Sequence, residues 1–333
     1  MDAAEGPIER LSFSAARLMA DHPPIWRDPN KRIVSEISCP TGAEYEGEIR
    51  FSRWPALALV ESVELGVANC GVEHRDGFFD YAPLRDLANS VEWHVNFADP
   101  RLFGFYGSSL FAQDEIQTAE HPALGALREA LDARRATALT VERDAPTPIL
   151  VMGVERRCHV ATDRDAGRGR PAGLYGNAFA RASPDVIRRA TIPIEPPTIS
   201  NFIAMAAPAG GRGRYSASEI AYILISALTA FRAAWVESRQ WGAESVVVHT
   251  GFWGCGAFGG HRVLMAILQI LAGDMAGLDL LVFHTGYGKE AAGAINAARS
   301  VVDLNRSRGL VSGRELTERL AALGFEWGVS DGN

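Results

Sequence analysis

Apolar positions along this chain fall into two kinds of run, and each predicts an element. Val246-Val247-Val248 and Leu280 to Phe283 are short and uninterrupted, as strands buried on both faces should be. Between them, Val263 to Leu271 has helical spacing, with Leu264, Ile267, Leu268 and Leu271 on one face. Ser216-Ala217-Ser218-Glu219 has the form of a capping box and opens a second helix. Its stripe of Ile220, Ile223, Leu224, Ala227, Leu228, Phe231 and Trp235 reads as core. Ser312 to Glu315 repeats the capping pattern ahead of a last helix through Leu323.

Upstream, Val91 to Phe97 alternates as a strand and is broken by Asp99-Pro100. A loop from Gly104 to Ser109 follows, then a helix over Gln113 to Leu131 and strands over Ala136 to Val141 and Ile149 to Val154. Asp163 to Gly173 is an arginine- and glycine-rich loop, and Thr191 to Ile194 a short strand stopped by Pro196-Pro197. The pattern is weaker over residues 1–85. Ile8 to Met19 reads as an amphipathic helix ended by His22-Pro23-Pro24, and Arg32 to Ile37 and Ala56 to Val60 are short apolar pieces. This stretch is expected to be an accessory region packed on a main domain over residues 86–333. Strands interleaved with helices predict a three-layer α/β/α sandwich with a mixed central sheet for that domain.

Composition narrows function more than fold. With 47% hydrophobic and 22% charged residues, the 333-residue chain is ordinary globular material. Its net charge of -7 argues against nonspecific nucleic-acid binding and leaves room for a local basic pocket. Cys39, Cys70, Cys158 and Cys255 form no CxxC pair, and His249, His261 and His284 match no zinc spacing, so no metal is expected. Met1 to Phe13 is polar and acidic, unlike a secretory signal, and Ile220 to Phe231 is too short to span a bilayer. The expected setting is a reducing cytoplasm, with no membrane partner.

Candidate chemistry sits on two loops. Gly254-Cys255-Gly256-Ala257-Phe258-Gly259 is a GxGxxG between a strand and a helix, where close backbone approach and a helix N-terminus suit a diphosphate. A nicotinamide-dependent oxidoreductase uses such a motif but wants an acid at the end of the next strand, and this one ends Phe283-His284-Thr285-Gly286. The second loop leads into Gln113-Asp114-Glu115. Adjacent acids at a helix start commonly just complement the dipole. A partly desolvated carboxyl beside a sugar can instead protonate a glycosidic oxygen and then activate water. Arg164, Arg168 and Arg170 read as a solvated loop rather than a phosphate clamp.

Taken together, Asn96-Phe97-Ala98-Asp99, Leu102 to Glu115 and Thr250 to Gly260 resemble the poly(ADP-ribose) glycohydrolase family, in the same order along the chain. The run Trp253 to Gly260 is the most specific part. The resemblance implies a macrodomain with an appended helical region, an ADP-ribose or ADP-ribosylated partner, no cofactor, and hydrolysis of ADP-ribosyl O-glycosidic bonds. It also implies roles for single residues. Glu115 would be the acid/base, with Asp114 and Gln113 orienting it, and Gly104 would belong to the first glycine loop. Phe97 would pack on the distal ribose, with Asn96 and Asp99 at flanking polar positions. Gly254, Cys255, Gly256, Ala257, Phe258 and Gly259 would take the diphosphate, with Cys255 a small packing residue rather than a nucleophile. Tyr175 and Tyr287 are counterparts of adenine-stacking aromatics. Where the family has three consecutive glycines this chain has Phe103-Gly104-Phe105, so two aromatics are expected to reshape the cleft. A module that binds ADP-ribose without turnover stays open beside the hydrolase, as does the oxidoreductase.

Overall fold

The computed structural model describes residues 6–59, 61, 63–64, 69–84, 89–286 and 289–330. Its main sheet has eight strands: β1 (Glu9–Ser14), β2 (Glu48–Arg53), β3 (Gly71–Arg75), β4 (Ser90–Ala98), β5 (Ile149–Val160), β6 (Thr191–Ala206), β7 (Ser245–Thr250) and β8 (Leu280–His284). Their spatial order is β1-β2-β5-β6-β4-β7-β8-β3. The run from β6 to β3 is parallel, while β1, β2 and β5 pair antiparallel, so the sheet is mixed as expected.

Alternation along β4 divides the two faces. Ala98 packs into a core under α1 (Ala15–Asp21) and α4 (Pro122–Ala133), and α2 (Pro29–Ser38), α3 (Gln113–Glu120), α5 (Asn177–Arg181) and α6 (Pro184–Ala190) extend that layer over the end of β5. Trp93 and Val95 point the other way, into the core of α7 (Ala217–Gln240), α8 (Arg262–Ala276), α9 (Lys289–Arg306) and α10 (Gly313–Ala322). Helices on both faces give the three layers. By length and composition α7 could cross a bilayer, yet 61% of its most apolar window is buried in the protein, and its stripe is core.

Several expectations change. Residues 1–85 are not an accessory region: β1, β2 and β3 belong to the one sheet, so the boundary expected at residue 85 divides nothing. Ile8 to Met19 is not a single helix, because Leu11 and Phe13 turn inward with a period of two before Ser14 caps α1. Arg32 to Ile37 lies inside α2, capped by Asp28 with Pro29 in its first turn. The helix expected over Gln113 to Leu131 breaks at His121-Pro122, since proline lacks the N–H that would continue it. Ala136 to Thr140 is loop, with only a two-residue ladder starting at Val141. The strand at Thr191 runs on through Pro196-Pro197 to Ala206, because those prolines fall at a register irregularity where the ladder to β5 is interrupted. Arg170 is buried and paired with Asp163 at 2.9 Å rather than solvated.

Candidate active site

The end of β4 and the start of α3 are joined by amide side chains. Asn96 is fully buried, and its Nδ2 donates to Asp114 Oδ1 at 2.9 Å and to Gln117 Oε1 at 2.8 Å. Gln113 grips the same strand, accepting from Phe97 N at 2.8 Å and donating to Val95 O at 2.9 Å. Glu115 is 1% exposed, and its Oε2 accepts from Ala112 N at 3.0 Å. Burial raises its pKa, and the neighbouring Lys31 ammonium works against that rise. Asp114 is raised well above the usual carboxylate range, by burial first and by Glu115 second. Asp99, half-buried, is raised by burial. Two carboxyls side by side thus sit in different settings, one held by amides and one at the helix start.

The loop before α3 is fixed from the N-terminal segment. Gly107 O accepts from Arg27 N at 3.0 Å and Asp28 N at 3.1 Å, and Ile25 N donates to the Tyr106 hydroxyl at 2.6 Å. A Cβ on Gly107 would lie 2.4 Å from Ile25 O, so only glycine permits this approach. Phe103 has φ 49° and turns its ring into the core, whereas Phe105 is 52% exposed. Of the two aromatics expected to reshape the cleft, one therefore leaves it.

The second loop leaves β7 and enters α8. Trp253 anchors it, fully buried, with Nε1 donating to Met205 O at 3.0 Å. Gly254 has φ 74°, and a Cβ there would meet Ala207 at 2.6 Å. The loop closes where Gly260 N donates to Gly254 O at 2.8 Å. Burial pushes the Cys255 thiol up to about 12, which suits packing and not nucleophilic attack. Phe97 joins the two loops: its Cζ would lie 3.3 Å from a Cβ on Gly251.

A family model described as poly(ADP-ribose) glycohydrolase, macro domain fold, matches residues 187–292, a stretch that contains this second loop. That stretch is similar to the poly(ADP-ribose) glycohydrolase family. Among curated proteins no relative matches. Similar solved structures include a poly(ADP-ribose) glycohydrolase from Thermomonospora curvata, at 17% identity over 83% of this chain and 98% of that one, with a TM-score of 0.46. The Thermomonospora curvata protein bound to the inhibitor ADP-HPD is similar at 19% identity over 70% and 78%, with a TM-score of 0.43. A poly(ADP-ribose) glycohydrolase from Deinococcus radiodurans in complex with ADP-ribose is similar at 13% identity over 89% and 95%, with a TM-score of 0.43. Likenesses this distant leave the site to be read from this chain's own residues. The family match takes away the basis of the oxidoreductase, since the GxGxxG loop lies in a macro domain fold.

Against the roles implied by that family, the structure brings Glu115, Asp114, Asn96, Gln113 and Phe97 together and gives two of them other work. Both donors of Asn96 and both polar ends of Gln113 bond within the protein, so these residues hold α3 to β4. Tyr175 lies near the first loop, where the next residue, Gly176, donates N–H to Phe111 O at 2.9 Å. Its exposed ring is parallel to that of Phe78, with 7° between planes and centroids 6.5 Å apart. Tyr287 lies outside the described residues. His249 and His284 bond locally, to each other at 3.0 Å and, from His249, to Glu92 at 2.8 Å. Among the described residues, no group of three or more His, Cys, Asp or Glu is arranged to hold a metal. Sequence reasoning missed Phe78, Lys31 and Arg262; the last lies in the first turn of α8 with its guanidinium 5.3 Å from the Phe252 ring.

Proposed function

We propose that this chain hydrolyses ADP-ribosyl O-glycosidic bonds and releases ADP-ribose, with Glu115 as the acid/base. The observation that carries the reading is the Glu115 carboxyl, buried at a loop-helix junction with its pKa raised by that burial. A raised pKa favours the protonated form that the leaving oxygen needs. As the C–O bond breaks, the ribose takes oxocarbenium character and Glu115 becomes a carboxylate. It then removes a proton from water, whose oxygen bonds to the anomeric carbon, and so regains its starting form. In the loop over residues 254–260 the N–H groups of Cys255, Gly259 and Gly260 bond carbonyls, so its other N–H groups and the N-terminus of α8 are those that suit the diphosphate, with the Arg262 charge beside them. The parallel, exposed rings of Phe78 and Tyr175 support an adenine stack. Four free cysteines support a reducing, cytoplasmic setting.

A second reading, an ADP-ribose-binding module, draws support from Phe105, exposed where the family has glycine, and from the bond that ties Glu115 to its own helix cap. Incubation with an ADP-ribosylated protein, followed by mass spectrometry for free ADP-ribose and by calorimetry with ADP-ribose, separates the two. Release at substoichiometric protein supports the hydrolase. Tight binding without release supports the module, and neither binding nor release overturns both.

A further inference from the structure

We infer that Lys31, on α2, is a positioning residue for Glu115: it holds the loop that leads to the acid and supplies the positive charge that steadies the carboxylate formed as the leaving group departs. The inference rests on the hydrolase reading above for its kinetic part only. Lys31 is fully buried, and its Nζ donates to Tyr106 O at 2.7 Å. The residue after Tyr106 accepts from Arg27 N and Asp28 N, so α2 and its cap grip the loop at two consecutive carbonyls. A buried ammonium is costly unless opposite charge faces it. Asp28 of its own helix cap and Asp114 and Glu115 of α3 face Lys31. Asp28 Oδ1 already accepts from Asn30 N at 2.9 Å and Lys31 N at 3.1 Å.

Among the described residues no ion pair within 4 Å joins Lys31 to any of the three, so its charge reaches Glu115 through a low-dielectric interior rather than by contact. The charged groups facing Glu115 include Lys31 and Asp99, and those facing Asp114 are Glu115, Asp99 and Lys31. Burial brings Lys31 down to about 8 while raising Glu115, and each charge offsets part of the other's shift. Without the ammonium, Glu115 would be the weaker acid and would give up its proton to the leaving group less readily.

Three substitutions in the full chain test this. Lys31→Met removes charge and donor, Lys31→Gln keeps a donor for Tyr106 O without the charge, and Lys31→Arg keeps both. Isotope-edited carbonyl spectra, with Glu115 assigned by its Gln variant, follow the titration of that carboxyl whether or not the protein turns over. Lys31→Met and Lys31→Gln should each raise its midpoint by about one pH unit or more, and Lys31→Arg should restore it. In the hydrolysis assay both neutral variants should lose about tenfold or more in kcat with KM little changed, and the alkaline limb of the profile should move up with the midpoint. If Lys31→Met does not fold, Lys31→Gln carries the comparison. An unmoved midpoint in a cooperatively melting neutral variant overturns the inference, as does an unchanged kcat. A wild type that releases no ADP-ribose sinks the hydrolase reading instead, and the titration still decides the role of Lys31.

Discussion

Replacing Asn96 by alanine should loosen α3 from β4, and the size of the effect follows from the groups it bonds. The amide gives one hydrogen bond to a carboxyl oxygen and one to a neutral amide, both in a fully buried position. Above the folded pKa of Asp114, where its carboxyl is ionised, the first is worth about 1.5–3 kcal/mol, and the second is worth about 1 kcal/mol. Among the described residues Asn96 Oδ1 has no partner of its own, so its removal returns about 1 kcal/mol. The net loss should then be about 1.5–3 kcal/mol, read by urea unfolding with the fluorescence of buried Trp93 and Trp253. Its pH dependence has a definite sign. The Asn96 bond favours the ionised form of Asp114, against the upward pull of burial. The loss should therefore be smaller where Asp114 is protonated, and grow as pH rises through its folded pKa. A loss under about 1 kcal/mol at every pH would refute the reasoning that Asn96 clamps the helix.

Gly107→Ala should cost about 1–3 kcal/mol and lower the melting temperature, because the new Cβ meets the Ile25 carbonyl; an unchanged melt would mean the N-terminal segment does not clamp the loop. Cys255 should resist iodoacetamide at neutral pH in the native protein and react once unfolded, since burial pushes its thiol up to about 12. Rapid native alkylation would contradict that.

What was legible in the sequence was whatever local periodicity and capping decide. The β7-loop-α8-β8 unit, the capping box of α7 and the start of α10 all formed at the residues that announced them. The acid pair at the start of α3 was legible for the same reason, as a charge signature at a loop-helix junction. β1 was not, because a six-residue alternation runs straight into a helix and the two patterns blur. The work of Asn96 and Gln113 was hidden too, since their partners are chosen by the packing of α3 on β4. Phe103 turned inward on a positive φ that no pattern foretells. Lys31 was the least visible: a lysine on a short helix reads as surface, and only the folded chain shows it buried with its ammonium on Tyr106 O.

The most direct measurement is the rate of ADP-ribose release by Glu115→Gln beside its affinity for ADP-ribose. If Glu115 is the acid/base, release is abolished while affinity stays within about an order of magnitude of the wild type, because the amide keeps the shape and loses the proton. Undiminished release by that variant would contradict the mechanism.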